Sequence, residues 1–325
     1  MHILVTGAGG FIGSHVVEAL VKAGHQVRAL VRYNSRGSWG HLDEASPEFR
    51  SAVEVHLGDV TDPSMVRELV TDCDVVLHLA ALIGIPYSYH APASYVATNV
   101  SGTLNILEAC RAAKTRRVVV TSTSEVYGTA RYTPIDEAHP LQGQSPYSAS
   151  KIAADKLAES YFCAFNLPVV TLRPFNTYGP RQSARAVIPT VITQALTGAQ
   201  EIRLGNLDPK RDLTFVEDTA RAFLLAAETP GIEGEVIHFG QGEAVTVGEI
   251  AQKCLQAVGS AAKVVSVADR QRPDKSEVGL LLCQAAKAKR VLQWEPRVSL
   301  DEGLLRTAEY LRANLANYRP DRYTV

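Results

Sequence analysis

The stretch Thr121-Ser-Thr-Ser-Glu-Val-Tyr-Gly128, followed by Tyr147-Ser-Ala-Ser-Lys151, gathers hydroxyls, a carboxylate, a phenol and an ammonium at the end of a hydrophobic run. Such a set can oxidise a carbinol and then move a neighbouring proton. Tyr147 and Lys151 are four residues apart, which puts them on one face of a helix. An ammonium beside a phenol favours the phenolate, so the pairing is expected to lower the phenol's pKa. Tyr147 can then take the carbinol proton as the hydride leaves. Thr123 is placed to hydrogen-bond the same hydroxyl. Glu125 is more telling, because a plain alcohol dehydrogenase needs no carboxylate there, whereas removing a proton α to a new ketone needs a base. Ser124 either relays a proton or only fills space.

The hydride needs an acceptor, and the opening segment Met1-His-Ile-Leu-Val-Thr-Gly-Ala-Gly-Gly-Phe-Ile-Gly13 offers a place for one. Gly7, Gly10 and Gly13 stand between a strand and a helix that begins near Phe11 and Ile12. Glycine serves there for the tight turn, for close approach of backbone to a pyrophosphate, and for helix-on-strand packing. The helix start adds free N–H groups and a positive dipole end. A nicotinamide dinucleotide is the expected cofactor. Val31 occupies the place where NAD enzymes usually carry an acid for the ribose hydroxyls, and Arg32-Tyr-Asn-Ser-Arg36 follows. Two guanidiniums, Arg32 and Arg36, with Asn34 and Ser35, suit a 2′-phosphate, so NADP is favoured over NAD. Asp59 and Val60 are placed for the adenine, and Leu79, Ala80 and Ala81 for the nicotinamide half. Asn99, Thr121 and Pro174, with Tyr147 and Lys151, complete the expected cofactor contacts.

The elements that must position these groups are legible as β-branched runs alternating with helical patterns: 3–6, 27–31, 53–57, 75–79, 118–121 and 168–172. Alternation of this kind implies an α/β fold, a Rossmann-type doubly wound parallel sheet covered on both faces. In the first helix Phe11, Ile12, Val16, Val17, Leu20 and Val21 fall at helical spacing, and Gly24 is placed to stop it. Segments 93–113 and 147–165 read as long amphipathic helices. After Pro174 the texture turns polar over 176–185 and again over the 205–212 loop. The reading is a dinucleotide-binding domain of 1–178 plus about 213–239, and a smaller interleaved C-terminal substrate-binding domain of about 179–212 plus 240–325. The polar tail after Ala316 is expected to be mobile.

Composition narrows the possibilities. With Lys+Arg 33 against Asp+Glu 34, no overall field attracts nucleic acid or a membrane surface. No apolar run reaches the roughly 20 residues a membrane span needs, and the first strand leads straight into a glycine turn, unlike a signal peptide. The expectation is a cytoplasmic enzyme. Five cysteines and nine histidines show no metal-ligand spacing, so no metal site is expected.

Together these segments resemble the extended short-chain dehydrogenase/reductases that modify nucleotide sugars, over nearly the whole chain from Gly7 to Trp294-Glu-Pro296 and Ser299-Leu-Asp-Glu-Gly303. Thr123-Ser124-Glu125 is similar to the GDP-mannose 4,6-dehydratases, and Leu204-Gly-Asn-Leu-Asp-Pro-Lys-Arg-Asp212 to a loop of GDP-sugar enzymes. Tyr33-Asn-Ser35, Ser38-Trp-Gly40, Ile85-Pro-Tyr-Ser-Tyr89, Gln142-Gly-Gln-Ser-Pro-Tyr147 and Pro180-Arg-Gln-Ser-Ala-Arg-Ala-Val-Ile-Pro189 resemble the 4,6-dehydratases of legionaminic acid biosynthesis, a subfamily assigned GDP-N-acetylglucosamine.

The resemblance implies oxidation at sugar C4 by Tyr147, Lys151 and Thr123, removal of the C5 proton by Glu125, loss of water across C5 and C6 with Glu125 or Ser124 assisting, and return of hydride to C6. It implies diphosphate contacts from Arg211, Arg185 and Lys210, a phosphate or sugar contact from Asn176, and further substrate contacts from Ser88, Val187, Asn206 and Arg272. It also implies a homodimer through a four-helix contact of segments 93–113 and 147–165. The chain departs from the family pattern in two places: Arg272-Pro-Asp-Lys-Ser-Glu277 displaces the usual acid, and Gln284 replaces an Asp or Asn. The rivals are a UDP-glucuronate-type decarboxylase, which shares Thr-Ser-Glu-Val-Tyr-Gly, a nucleotide-sugar 4-epimerase, for which Glu125 has no evident task, and a non-enzymatic NADP-sensing scaffold.

Overall fold

Short strands rich in Val, Ile and Leu have side chains that must be covered on both faces, and in the computed structural model, which describes residues 1–318, they are. The first six are β1 (His2–Thr6), β2 (Gln26–Arg32), β3 (Val53–Gly58), β4 (Val75–His78), β5 (Arg117–Thr121) and β6 (Val169–Pro174). The rest are β7 (Asn176–Tyr178), β8 (Glu201–Leu204), β9 (Lys210–Phe215), β10 (Val236–Phe239), β11 (Ala244–Thr246), β12 (Lys263–Ser266) and β13 (Leu280–Leu281). A seven-stranded sheet has the order β10-β6-β5-β4-β1-β2-β3, and every pairing in it is parallel. The strand order reverses at β1, between β2 and β4, and the crevice beyond the carboxyl ends at that point is where such sheets bind ligands.

Helices cover both faces. Val16, Val17 and Leu20 of helix Phe11–Lys22 and Phe223 and Ala226 of helix Val216–Glu228 bury against one. Val66, Ile106, Leu107, Ala158 and Tyr161 bury against the other. Each large apolar side chain so buried contributes about 1.5–3 kcal/mol. Helix Pro146–Phe165 begins with Ser145 and Ser148 bonding each other's backbone N–H, with Pro146 in the first turn, and ends at Asn166 in the left-handed conformation. Those signals fix where Tyr147 and Lys151 stand.

The segment read as one helix over 93–113 is three pieces: α-helix Pro92–Tyr95, a π-helical stretch Val96–Ser101, and α-helix Gly102–Ala113. The wider turn is paid for by side-chain bonding. Asn99, inside it, accepts from Leu82 N at 2.8 Å and donates to Leu82 O and Ser150 Oγ, each at 2.9 Å.

A smaller sheet forms from β11, β9 and β13, with β7 also paired to β9. The chain segments read as polar turns thus contribute strands at Asn176–Tyr178 and Lys210–Asp212, because β9 is buried along most of its length. Asp212 pins this sheet by accepting N–H groups of Gln241, Gly242 and Cys283. Parallel β8 and β12 form a third ladder, over a core that includes Ile188, Val191, Ile250 and Leu304. Residues 286–294 return to the large sheet: Ala288, Leu292 and Trp294 join its core, and Trp294 Nε1 donates to Asp218 O at 2.8 Å. In the polar tail Tyr318 is held by its hydroxyl on Gln182 O; the rest of the tail expected to be mobile, 319–325, lies outside the described residues.

Candidate active site between the two sheets

A cavity of about 1470 Å³ runs along the carboxyl ends of the large sheet and under the smaller one. A pocket for one drug-sized ligand is typically about 300–1,000 Å³, so there is room for two ligands end to end.

At one end lies the glycine turn. Gly7 has φ +70, and a Cβ there would stand 2.8 Å from Ala80 N. A Cβ on Gly13 would stand 2.1 Å from Gly7 O, and one on Gly9 2.5 Å from Trp39 O. These are backbone atoms that cannot yield, so strand, helix and the loop at Trp39-Gly40 approach as closely as only glycine allows. At Gly10 a Cβ would meet only Gly7 O, at 3.2 Å, and would occupy the cradle. Helix Phe11–Lys22 starts there with no side-chain cap, leaving its first N–H groups for an anion. The donor set fits a dinucleotide pyrophosphate. Arg32, Asn34, Ser35 and Arg36 line the cavity beyond it; Asn34 Oδ1 accepts from the backbone of Arg36 and Ser38, which shapes this loop. Asp59, Val60, Leu79, Ala80, Ala81, Thr121 and Pro174 also line it.

In the middle, the turn Ser124–Tyr127 follows β5 and brings Thr123, Ser124 and Glu125 against Tyr147 and Lys151. Glu125 is only 9% exposed. The expected lowering of the phenol pKa is overturned: Tyr147 is held well above its ordinary value, first by burial and also by the charge of Glu125, with a hydrogen bond from Thr123 opposing. Lys151 is not among the charges acting on the phenol: its Nζ donates to Thr121 O at 2.6 Å, and burial lowers its own pKa. The Tyr95 ring stands edge-on to Tyr147 at 6.3 Å.

At the far end, Asn176, Arg185, Val187, Asn206, Arg211 and Arg272 line the wall. Arg211, 9% exposed, donates to Glu277 at 3.2 Å, and its charge is sustained by Glu125 while burial lowers its pKa. Arg272 shares Glu277 at 3.5 Å. Three buried polar atoms on the cavity wall have no hydrogen-bond partner among the described residues: Thr121 Oγ1, Asn176 Oδ1 and Gln182 Oε1. Buried polar atoms are rarely left so, and their clustering marks a place for polar ligands.

Three expected contacts are not on the wall. Asn99 holds the 79–82 loop against the Tyr147 helix. Ser88 is buried and donates to Ile85 O at 2.7 Å. Lys210 is exposed at the first position of β9, whereas Arg211 and the residues after it are buried. Conversely, sequence reasoning missed Gly9, Arg181 and Glu277. Gly9 was legible as part of the glycine run. Arg181, which bonds Ser14 Oγ and pairs with Glu18 at 2.6 Å, and Glu277 had no local signal.

A glycine turn on a parallel sheet, a Tyr/Lys pair on the following helix and a small sheet closing the cavity define an extended short-chain dehydrogenase/reductase of the nucleotide-sugar dehydratase and epimerase class. The chain belongs to the GDP-mannose 4,6-dehydratase family, whose model matches residues 4–307. It is 34% identical over 322 residues to a dTDP-glucose 4,6-dehydratase of Actinoplanes sp., covering 97% of this chain and 98% of that one. It is 32% identical to a UDP-N-acetyl-alpha-D-glucosaminuronate decarboxylase of Bacillus cytotoxicus, covering 95% and 97%. The structure of UDP-glucuronic acid 4-epimerase from Bacillus cereus, in complex with UDP-glucuronic acid and NAD, superposes with a TM-score of 0.89 at 31% identity, covering 97% of this chain and 100% of that one.

Proposed function

We propose that this protein is a nucleotide-sugar 4,6-dehydratase, acting on an NDP-hexose for which GDP-N-acetylglucosamine is the leading choice. The observation that carries the reaction is Glu125, a buried carboxylate beside Thr123, Ser124 and Tyr147 on the cavity wall. Oxidation at C4 acidifies the C5 proton, and a nearby carboxylate then has a proton to remove. Tyr147 accepts the C4 hydroxyl proton as its phenolate, the form that the hydrogen bond from Thr123 and the positive charges of Lys151 and of a bound oxidised nicotinamide would favour against burial and Glu125. Glu125 takes the C5 proton, Glu125 or Ser124 protonates the C6 hydroxyl as it leaves as water, and Glu125, its proton exchanged with solvent, reprotonates C5 as C6 takes up the hydride. When bound, a nicotinamide dinucleotide supplies the acceptor for the C4 hydride and returns it at C6. Gly7, Gly10 and the N–H groups at Phe11–Gly13 would hold its pyrophosphate.

The dinucleotide dependence follows from the family and from relatives such as the NAD-bound epimerase. The preference for NADP rests on Arg32 and Arg36, neither in an ion pair among the described residues. Arg211 and Arg272 are the proposed diphosphate contacts. GDP rests on the likenesses of Leu204–Asp212 and Thr123–Glu125 to GDP-sugar enzymes, and the acetamido sugar on the segment likenesses around Tyr33, Trp39 and Pro180–Pro189. A homodimer is proposed through segments 93–113 and 147–165, where Val96, Leu104 and Phe165 are exposed; light scattering at micromolar concentration should give twice the chain mass.

Uronate decarboxylation is the second reading, favoured by Arg185. Its Nη1 stands 3.0 Å from where a Gly84 Cβ would be, and its charge acts on Tyr95, next to Tyr147. An arginine so near the reacting end could hold a C6 carboxylate. The test is to incubate the protein with GDP-N-acetylglucosamine, UDP-N-acetylglucosamine, GDP-mannose, dTDP-glucose and UDP-glucuronate in deuterated water. Loss of water with one deuterium at C5 supports the dehydratase and identifies the nucleotide. CO₂ from UDP-glucuronate alone selects the decarboxylase, and an inverted C4 alcohol with all oxygens kept selects the epimerase.

A further inference from the structure

Behind the cavity wall lies a buried ion pair that the chemistry above does not use. Asp155, on the Tyr147 helix one turn beyond Lys151, and Arg173, on β6, are 3% and 4% exposed. Asp155 Oδ2 accepts from Arg173 Nε and pairs with Nη2, each at 3.0 Å. The same oxygen accepts from Ser122 Oγ at 2.6 Å. The other side of the guanidinium donates from Nη1 to the Tyr127 hydroxyl at 3.1 Å, with Cζ 5.2 Å from that ring's centroid. Tyr127 OH meets His238 Nδ1 at 3.0 Å, and His238 Nε2 lies 2.9 Å from Gln284 O. Since only an Nε2–H can bond that carbonyl, Nδ1 accepts the phenolic proton.

Ser122 and Tyr127 bracket the reactive turn, with Thr123, Ser124 and Glu125 between them. Both brackets are bonded to one ion pair, and one half of that pair belongs to the helix carrying Tyr147 and Lys151. Asp155, Arg173 and Tyr127 do not line the cavity, so they act through other residues. We propose that the Asp155–Arg173 pair is the positioning joint of this active site, setting the Thr123–Glu125 turn against Tyr147 and Lys151 and placing a fixed negative charge one turn beyond the ammonium. This rests on the roles given above to Tyr147, Lys151 and Glu125.

The charges coupled to Lys151 are Asp155 on its own helix and His78 on β4; Tyr95 and Glu125 act on Tyr147, one turn before it, and Arg173 on β6 pairs with Asp155. His78 is kept neutral by burial, its pKa lowered to about 3. Burial disfavours the Lys151 ammonium, and Asp155 opposes that. Removing the Asp155 charge therefore lowers the pH at which Lys151 loses its proton.

The experiment compares wild type, Asp155→Asn and Ser122→Ala, with folding checked by circular dichroism and thermal melting. For Asp155→Asn, kcat should fall roughly 10- to 100-fold, as for a small misplacement of reacting groups, with KM within about twofold. The alkaline limb of kcat should move down by about one pH unit. Ser122→Ala keeps the charge and cuts one tie, so kcat should fall by about three- to tenfold with the limb unmoved. A folded Asp155→Asn enzyme with wild-type kcat and alkaline limb overturns the proposal. Where Asp155→Asn does not fold, unchanged kcat in Ser122→Ala overturns it instead. The rates are measured on whichever nucleotide sugar the wild type converts, so a different product corrects the assigned reaction without touching the joint. Independently of turnover, NMR titration of ¹³C-labelled lysine should show Lys151 losing its proton at lower pH in Asp155→Asn, and an unshifted titration also overturns it.

Discussion

The two ends of the cavity are built from different materials. The glycine end is backbone against backbone: Gly7, Gly9 and Gly13 bring strand, helix and the Trp39 loop to distances that no Cβ permits. The far end is charge against charge: Arg211 and Arg272 converge on Glu277 from segments about sixty residues apart in the chain, held by the smaller sheet and the loop after β12. A site made of main-chain N–H groups is specified by local sequence and tolerates no added atom. A site made of guanidiniums is specified by topology, and there a lost charge weakens binding without disturbing the fold. The proposed reacting groups, Thr123, Glu125, Tyr147 and Lys151, stand at the seam.

The largest test of this contrast is at the seam itself. Tyr147→Phe removes the proton acceptor and should lower kcat roughly 10²- to 10⁴-fold, while dinucleotide affinity, read by fluorescence titration, stays near wild type. Full activity in that variant ends the reading of Tyr147 as the acid–base residue. Gly13→Ala comes next. Its Cβ would sit 2.1 Å from Gly7 O, and forcing the backbones apart costs about 3 kcal/mol, seen as a lowered melting temperature together with loss of dinucleotide binding. An unaltered variant would mean the close approach is not what specifies this end.

At the opposite end, Arg211→Met should raise KM for the nucleotide sugar by roughly 10- to 100-fold, the size of a lost charged hydrogen bond, and leave dinucleotide affinity alone. If both ligands weaken equally, the two ends are not independent. Arg32→Ala should reduce the preference for NADP over NAD by about fivefold, the modest value of an exposed charge, measured as the ratio of the two dissociation constants. Equal losses for both forms would remove Arg32 from 2′-phosphate recognition. Smallest of all, Lys210→Ala should leave KM within about twofold, as for other exposed positions; a tenfold rise would place Lys210 at the diphosphate despite its outward position on β9.

The glycine turn, the alternation of strands and helices that makes a parallel sheet, and the Tyr147/Lys151 pair were all legible in the chain, because each is written over a few adjacent residues with a period or spacing that local geometry enforces. Glu125 was legible for the same reason, being one short turn from Thr123. What the sequence could not settle was anything set by residues that meet only after folding. Burial, which depends on every neighbour at once, reversed the expected shift of Tyr147. Packing of the smaller sheet buried Arg211 and left Lys210 exposed at the start of β9, and side-chain bonding turned Asn99 and Ser88 from ligand contacts into supports. Arg181, Glu277 and the Asp155–Arg173 pair carry no motif, since their partners come from distant segments. Sequence alone determined the class of chemistry, because the reacting groups follow one another along the chain; tertiary structure alone decided their protonation, their distances and the charges facing the substrate, because those depend on what surrounds a residue in space.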